Sequence, residues 1–161
     1  MYLVDTNFIG ELETIYPGDV FPTLWVQLEQ RLFVPDVYFH EEVHTELRNW
    51  RHPRLNWYLN HVTPGQILAS DREELDAYQA VSKWVVGKHQ PPYKSSAVDA
   101  FLNVADSWIV ASAHRHRATI VTNEKPAPES KRKIKIPDVA AQFNVPCINT
   151  LDFLRVLNVR I

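Results

Sequence analysis

Met1-Tyr2-Leu3-Val4 is an unbroken apolar run that stops at a carboxylate, Asp5, with Thr6 and Asn7 behind it. An apolar strand ending in a lone acid has the form of an α/β site, because ligands sit beyond the carboxyl ends of parallel strands. The form recurs late in the chain, where Ala118-Thr119-Ile120-Val121-Thr122 stops at Asn123-Glu124. Helical patterns separate the two runs. Strands alternating with helices imply βαβ units, so the chain is expected to form an α/β sandwich with a mostly parallel central sheet and a helix-rich middle.

Between the two runs, Phe21, Leu24, Trp25, Leu28 and Leu32 recur at helical spacing, and Phe33-Val34-Pro35 has the character of a short strand or entry turn. A second helix is expected from about His40 to Trp50, with Val43, Leu47 and Trp50 as its apolar stripe. Ser70-Asp71-Arg72-Glu73 fits a capping box that opens a helix through Val85, with Leu75, Tyr78 and Val85 facing inward. The stretch from Gly87 to Ser96 reads as a loop; Ser96 and Asp99 then start a helix expected to run on through Ala113 and to end near His114-Arg115-His116-Arg117. Beyond Glu124 follow a loop rich in Lys and Pro up to Ile134-Lys135-Ile136, a short helix from Pro137, a strand around Val145 to Ile148, and a last helix carrying Leu151, Leu154 and Leu157.

At 161 residues, one domain spanning 1–161 is the expectation. No stretch approaches the roughly 20 apolar residues of a membrane span, and no secretory signal is visible at the N-terminus. The only cysteine, Cys147, excludes an intrachain disulfide, which fits a reducing cytoplasm. With four glycines and no phosphate-cradling glycine pattern, a nucleotide-binding loop is excluded. A net charge of −2 means that any nucleic-acid contact rests on local basic patches.

Four acids stand where solvation is poor. Asp5 and Glu124 close strands, Glu46 lies about 70° from the centre of the Val43/Leu47/Trp50 stripe on a helical wheel, and Asp106 interrupts the apolar sequence Val104 to Ala111. A carboxylate in low dielectric needs a counter-charge, supplied by a salt bridge, a helix N-terminus or a divalent cation.

Leu3-Val4-Asp5-Thr6-Asn7, Glu46-Leu47, Ala105-Asp106-Ser107-Trp108-Ile109-Val110-Ala111 and Thr119 to Glu124, in this order, resemble the PIN-domain nucleases. Val81 to Trp84, Ala97 to Asp106, Lys133 to Pro137 and Phe153-Leu154-Arg155 extend the likeness to a bacterial subfamily of PIN-like toxins. The resemblance implies a PIN-like three-layer α/β/α sandwich and a metal-dependent endoribonuclease, the toxin of a toxin–antitoxin pair. It makes Asp5, Glu46, Asp106 and Glu124 the catalytic and metal-binding acids, with Asn7, Thr122 and Asn123 in support; Asp99, seven residues before Asp106, is expected to line the same cleft. Oxygen-only ligands select Mg²⁺ or Mn²⁺. The implied partners are RNA, a cognate antitoxin protein and a second copy of the chain. Lys125, Lys131, Arg132, Lys133 and Lys135 follow Glu124 directly and are candidates for RNA phosphate contacts, or else a solvated charged loop. A non-catalytic PIN-like RNA- or protein-binding module is the alternative.

A competing motif is present. His40-Glu41-Glu42-Val43-His44 satisfies H-E-x-x-H, the zinc-peptidase signature. It needs the histidine flank of its helix to face the site, about 160° from Glu46 on the wheel, so the two metal readings exclude one another. The aromatic and basic stretch Asn49 to Trp57 could stack on single-stranded RNA, although Trp50 and Trp57 equally suit a core.

Overall fold

The computed structural model describes residues 1–88 and 90–160. Its sheet consists of β1 (Tyr2–Val4), β2 (Val37–His40), β3 (Ile67–Leu68), β4 (Thr119–Val121) and β5 (Cys147–Ile148). The order is β3-β2-β1-β4-β5, and every pairing among the described residues is parallel. Leu3 faces Tyr38 on one side and Ile120 on the other, so the N-terminal strand is the centre of the sheet. Because the chain builds outward from β1 first to β2 and then to β4, right-handed crossovers place helices on both faces. The fold is the expected α/β PIN-like sandwich. Its topological switch point lies between β1 and β4, where Asp5 and Thr122 leave the sheet.

The helices are α1 (Phe8–Ile15), α2 (Pro22–Arg31), α3 (Glu41–Arg48), α4 (Leu55–His61), α5 (Arg72–Gly87), α6 (Ser95–Leu102), α7 (Ala105–His116), α8 (Ile136–Gln142) and α9 (Thr150–Val156). Helix α7 is buried almost all round. Ser107, Ile109, Val110, Ala111, Ser112 and Ala113 are all fully enclosed, with α5 lying along the helix and β2 and β4 packed against it. Among the described residues, no helix is long and apolar enough to cross a membrane.

Several elements differ from the sequence-based expectation. The reading had no helix between β1 and Phe21, yet α1 is there; Phe8, Ile9 and Leu12 bury one face, and Phe8 meets Phe153 of α9 edge to face. The second strand starts at Val37 rather than at Phe33, and β3 is a further two-residue strand. Helix α3 starts one residue after His40 and ends at Arg48, leaving Trp50 beyond it. Helix α5 is capped by Asp71, whose side chain accepts the Glu74 N–H at 2.7 Å, one residue later than the expected cap. Its inward positions are Glu74, Ala77, Val81 and Val85, whereas Leu75 is 48% exposed. The expected loop narrows to the residues between α5 and α6, and His89 within it lies outside the described residues.

The most consequential difference is a break in the long helix expected from Ser96 through Ala113. Asn103 ends α6, with its Nδ2 donating to the Asp99 carbonyl at 2.8 Å, and Val104 is extended before α7 begins. Asparagine competes for helical backbone groups in this way. The break turns a helix interior into a helix N-terminus at Asp106.

Candidate active site

The carboxyl edge of the sheet gathers the acids. Asp5, only 3% exposed, continues the ladder after Val4, with its N–H donating to the Val121 carbonyl at 3.0 Å. The Thr122 hydroxyl donates to Asp5 Oδ2 at 2.9 Å, and the Asn7 N–H approaches Oδ1 at 3.4 Å. Thr122 in turn accepts the Glu124 N–H at 3.2 Å, so one hydroxyl links the two strand ends. Burial pushes the Asp5 carboxyl up to about 6; the bonds from Thr122 and Asn7 oppose this, and Glu124 and Glu11 add to it.

Glu46 reaches from α3 to the new start of α7. Its Oε1 accepts the Ala105 N–H at 2.9 Å, and its Oε2 accepts the Thr6 hydroxyl at 2.7 Å. A carboxylate is stabilised there because the first N–H groups of a helix lack intrahelical acceptors and carry its positive end. Asp106, one residue on, is half-buried and forms no salt bridge among the described residues. Burial, then the charges of Asp5, Glu124 and Glu46, push its carboxyl up to about 7, with Lys133 pulling the other way.

Glu124 is differently placed. Lys135 donates to its Oε1 at 3.0 Å and the Ile136 N–H to its Oε2 at 2.8 Å, so it caps α8 and carries its own counter-ion. Asn123 bridges two elements: its Nδ2 donates to Glu11 Oε2 at 2.7 Å and its Oδ1 accepts the Thr150 N–H at 2.9 Å.

The four acids therefore converge but are not equivalent. Glu46 and Glu124 each have both carboxylate oxygens taken by protein donors and Asp5 accepts from Thr122 and Asn7, while neither Asp5 nor Asp106 has a salt-bridge partner among the described residues and the two act on each other electrostatically. Among the described residues no three Asp, Glu, His or Cys side chains are assembled closely enough to hold a metal by themselves. A site of two carboxylates completed by water and substrate phosphate is nevertheless the usual way Mg²⁺ is bound. The donor set and the uncompensated charge fit such an ion.

The chain matches, over residues 2–161, the family described as a domain of unknown function, DUF4411. It belongs to the DUF4411 family. Among curated protein sequences none matches significantly. Two solved structures share the fold of this DUF4411 chain. FitAcB from Neisseria gonorrhoeae is 20% identical, with a TM-score of 0.52 over 92% of this chain and 97% of that one. FitAB bound to an IR36 DNA fragment is 21% identical, with a TM-score of 0.55 over 92% and 94% of the two chains.

One residue beside the candidate site was not legible in the sequence. Glu11, on α1, faces Asp5 electrostatically and orients Asn123. Its faint signal is the helical spacing of Phe8, Ile9 and Leu12, which places Glu11 beside the buried face. Asn7 serves Asp5 through its backbone rather than its amide. Asp99 is not brought to the cluster: the break at Asn103 puts it on α6, exposed. Of the basic residues, Lys135 is tied to Glu124 and Lys133 is felt by Asp106, while Lys125, Lys131 and Arg132 are exposed.

The histidine motif does not form a zinc site in this DUF4411 chain. His40 is the cap before α3 and not part of it. Its Nδ1 accepts the Glu42 N–H at 3.1 Å, so its Nε2 carries the proton and pairs with buried Glu74. A nitrogen that carries a proton cannot ligate. His44 Nδ1 is engaged by the Tyr58 hydroxyl at 2.9 Å, and Glu41 accepts the Ser70 N–H.

Beside the acids a cleft of about 1270 Å³ opens between α1, the segment after α3 and the ends of β4 and β5. Glu11, Thr122, Asn123 and Glu124 line it; of the four acids only Glu124 does, so the cleft adjoins the cluster on the Glu124 side. Cys147 lines it too, half-buried, its thiol pushed up to about 11 by burial and therefore unreactive at neutral pH.

Proposed function

We propose that this chain is a divalent-cation-dependent endoribonuclease, the toxin of a toxin–antitoxin pair acting in the cytoplasm. The observation that carries the reading is the pair Asp5 and Asp106, a buried and a half-buried carboxyl group at the switch point of a parallel sheet, neither in a salt bridge among the described residues. A structural role for both would leave each costing stability, whereas a cation-binding role explains their placement.

Asp5 and Asp106 would hold Mg²⁺ or Mn²⁺, and Glu46 and Glu124 would border it. When bound, such an ion supplies a water of lowered pKa and neutralises charge on a phosphodiester. Thr122 keeps Asp5 in one rotamer and ionised, since its hydroxyl donates to the charged form. Glu46 fixes α7 relative to β1 through Ala105 and Thr6, and so sets where Asp106 stands. Lys135 is poised to leave Glu124 for a phosphate oxygen, and Lys125 and Lys133 lie along the same loop for further backbone contacts. The resemblance to PIN-like toxins supports RNA as substrate and a cognate antitoxin as the protein that covers the acids. The fold shared with FitAB, solved bound to DNA, is consistent with a chain that works inside a nucleic-acid-bound assembly.

The test is cleavage of an RNA panel by the purified chain with Mg²⁺ or Mn²⁺ and with EDTA. Asp5→Asn and Asp106→Asn are each expected to abolish cleavage while keeping the native circular dichroism and a cooperative melt; cleavage that survives in both would overturn the reading. A second reading, a PIN-like module that binds without cutting, is favoured by the occupied oxygens of Glu46 and Glu124. It predicts RNA or antitoxin binding with no metal-dependent turnover.

A further inference from the structure

The stretch Asn49 to Trp57 carries two tryptophans that the structure treats differently. Trp57 is part of the architecture: it meets Trp25 edge to face at 4.9 Å, packs on Phe33, and its indole N–H donates to Glu29 at 3.0 Å. Trp50 packs against the edge of the core and also lines the large cleft. The His52 ring lies on it, parallel within 2° at a centroid separation of 3.9 Å, and lines the same cleft.

The pair is held in place from both sides. An atom at Cβ of Gly10 would come within 2.9 Å of Trp50 Cζ2, so the glycine is what lets the indole lie against α1. Glycine inside a helix is unfavourable relative to alanine, which makes close approach of the ring its physical reason. His52 Nδ1 accepts the Arg54 N–H at 3.1 Å, fixing the ring's orientation and leaving the proton on Nε2. Arg54 is itself anchored by Glu13 at 2.6 Å and by the Trp25 ring at 3.7 Å. Burial lowers the His52 pKa, so the ring is neutral near pH 7 and stacks as an aromatic.

We propose that Trp50 and His52 form a preorganised stacking platform for an unpaired nucleobase of a single-stranded nucleic acid whose backbone runs toward the acidic cluster. The proposal rests on the nuclease reading for its substrate class. Three observations select this occupant. The platform and Glu11, Asn123 and Glu124 line one continuous cleft, so a base on the former places its chain beside the latter. Lys125 and Arg155 line the same space and provide cations for phosphates; Lys125 forms no salt bridge among the described residues, and Arg155 is 73% exposed beside its pairing with Asp152. Stacking requires an open base face, which a duplex does not offer and a single strand does. The contribution would be sequence-tolerant, because every base has a π-face.

The experiment uses the full chain and a fluorescein-labelled ten-nucleotide 2′-O-methyl RNA, which binds without being cut, followed by anisotropy at fixed salt. Trp50→Leu and His52→Ala are each expected to weaken binding about tenfold, and Leu75→Ala, exposed on α5 and outside the cleft lining, to retain it. A blunt duplex of the same length should bind more weakly to the wild type and respond to neither aromatic variant. If Trp50→Leu fails to fold, His52→Ala, which removes only the upper ring, carries the test. Unchanged single-strand affinity in folded His52→Ala and Trp50→Leu overturns the platform. So does loss of binding to a partner protein with oligonucleotide affinity intact, which would make the cleft a protein site. Binding through Trp50 by a chain that cuts no RNA would leave the platform standing and remove the nuclease reading; cleavage whose KM and kcat ignore both aromatic variants would do the reverse.

Discussion

Replacing Asp106 by Asn in the metal-free protein isolates the electrostatic load at the site. In the wild type the Asp106 carboxyl is pushed from 3.8 up to about 7 by burial and by Asp5, Glu124 and Glu46. A group whose folded pKa lies above its unfolded value stabilises most below the unfolded pKa, and that stability is lost as pH rises through the folded pKa. Asp106 therefore costs the folded state nothing near pH 4 and its full penalty above pH 7. Three units at about 1.36 kcal/mol each set a ceiling of about 4 kcal/mol. Asp106 is half-buried, and solvent screening reduces this to about 2 kcal/mol. In a chain of this size each kcal/mol moves Tm by about 2–4 °C. Asp106→Asn is thus expected to melt about 4–8 °C above the wild type at pH 8 in EDTA, with the gap narrowing steadily below pH 7 and closing near pH 4. Differential scanning calorimetry or circular dichroism melts across pH 4.5–8.5 would follow it. Mg²⁺ at ten times its Kd should return about 1.4 kcal/mol to the wild type and little to the variant. A pH-independent difference between the two proteins, or equal stabilisation of both by metal, would refute the argument that Asp106 is an uncompensated charge awaiting a cation.

Three further perturbations address neighbouring contacts. Thr122→Val removes the hydroxyl that donates to Asp5; a loss of about 1–2 kcal/mol and a further rise of the Asp5 pKa are expected, read from urea titrations at pH 5 and pH 8, with a larger penalty at pH 8. Lys135→Met releases Glu124 from its ion pair; metal should then bind about three- to tenfold more tightly, seen in the midpoint of a Mn²⁺-dependent melting shift, and unchanged affinity would show that Glu124 stands outside the metal's reach. His40→Ala leaves Glu74 as a buried charge without its partner; a destabilisation of about 3–5 kcal/mol is expected with no change in metal content by elemental analysis, and loss of stoichiometric zinc would restore the peptidase reading.

Local pattern carried much of the site. Val4-Asp5 and Val121-Thr122 announced strand ends because a buried strand and its polar stop are contiguous in sequence, and Asp106 stood out because a charge among Val104, Ile109 and Val110 calls for a compensating partner. Glu46 was legible for the same reason, at the rim of an apolar stripe. What escaped were features whose cause lies elsewhere in the chain. The short helix α1, and with it Glu11, is stabilised by packing against Phe153 rather than by its own propensity. The break at Asn103 was hidden because Ser95 to His116 has helical residues throughout. The interruption becomes favourable only when Glu46 receives the Ala105 N–H across 59 positions of sequence.

By itself the sequence determined the parallel α/β class, from hydrophobic period, and marked Asp5, Glu46, Asp106 and Glu124 as charges among apolar neighbours; their grouping into one site was implied by the resemblance to PIN-domain nucleases, and the central place of β1 came from the structure. Only the tertiary structure decided how those acids differ. Glu46 and Glu124 meet backbone N–H groups at the starts of α7 and α8, and Glu124 meets Lys135, whereas Asp5 and Asp106 have no salt-bridge partner among the described residues and raise one another's cost electrostatically. It also decided that His40 belongs to Glu74 and that Trp50, packed against the core, also faces the cleft. A residue's chemistry is written in the sequence. Its counter-charge and its hydrogen-bond partners depend on distances between segments far apart in the chain, and those exist only after folding.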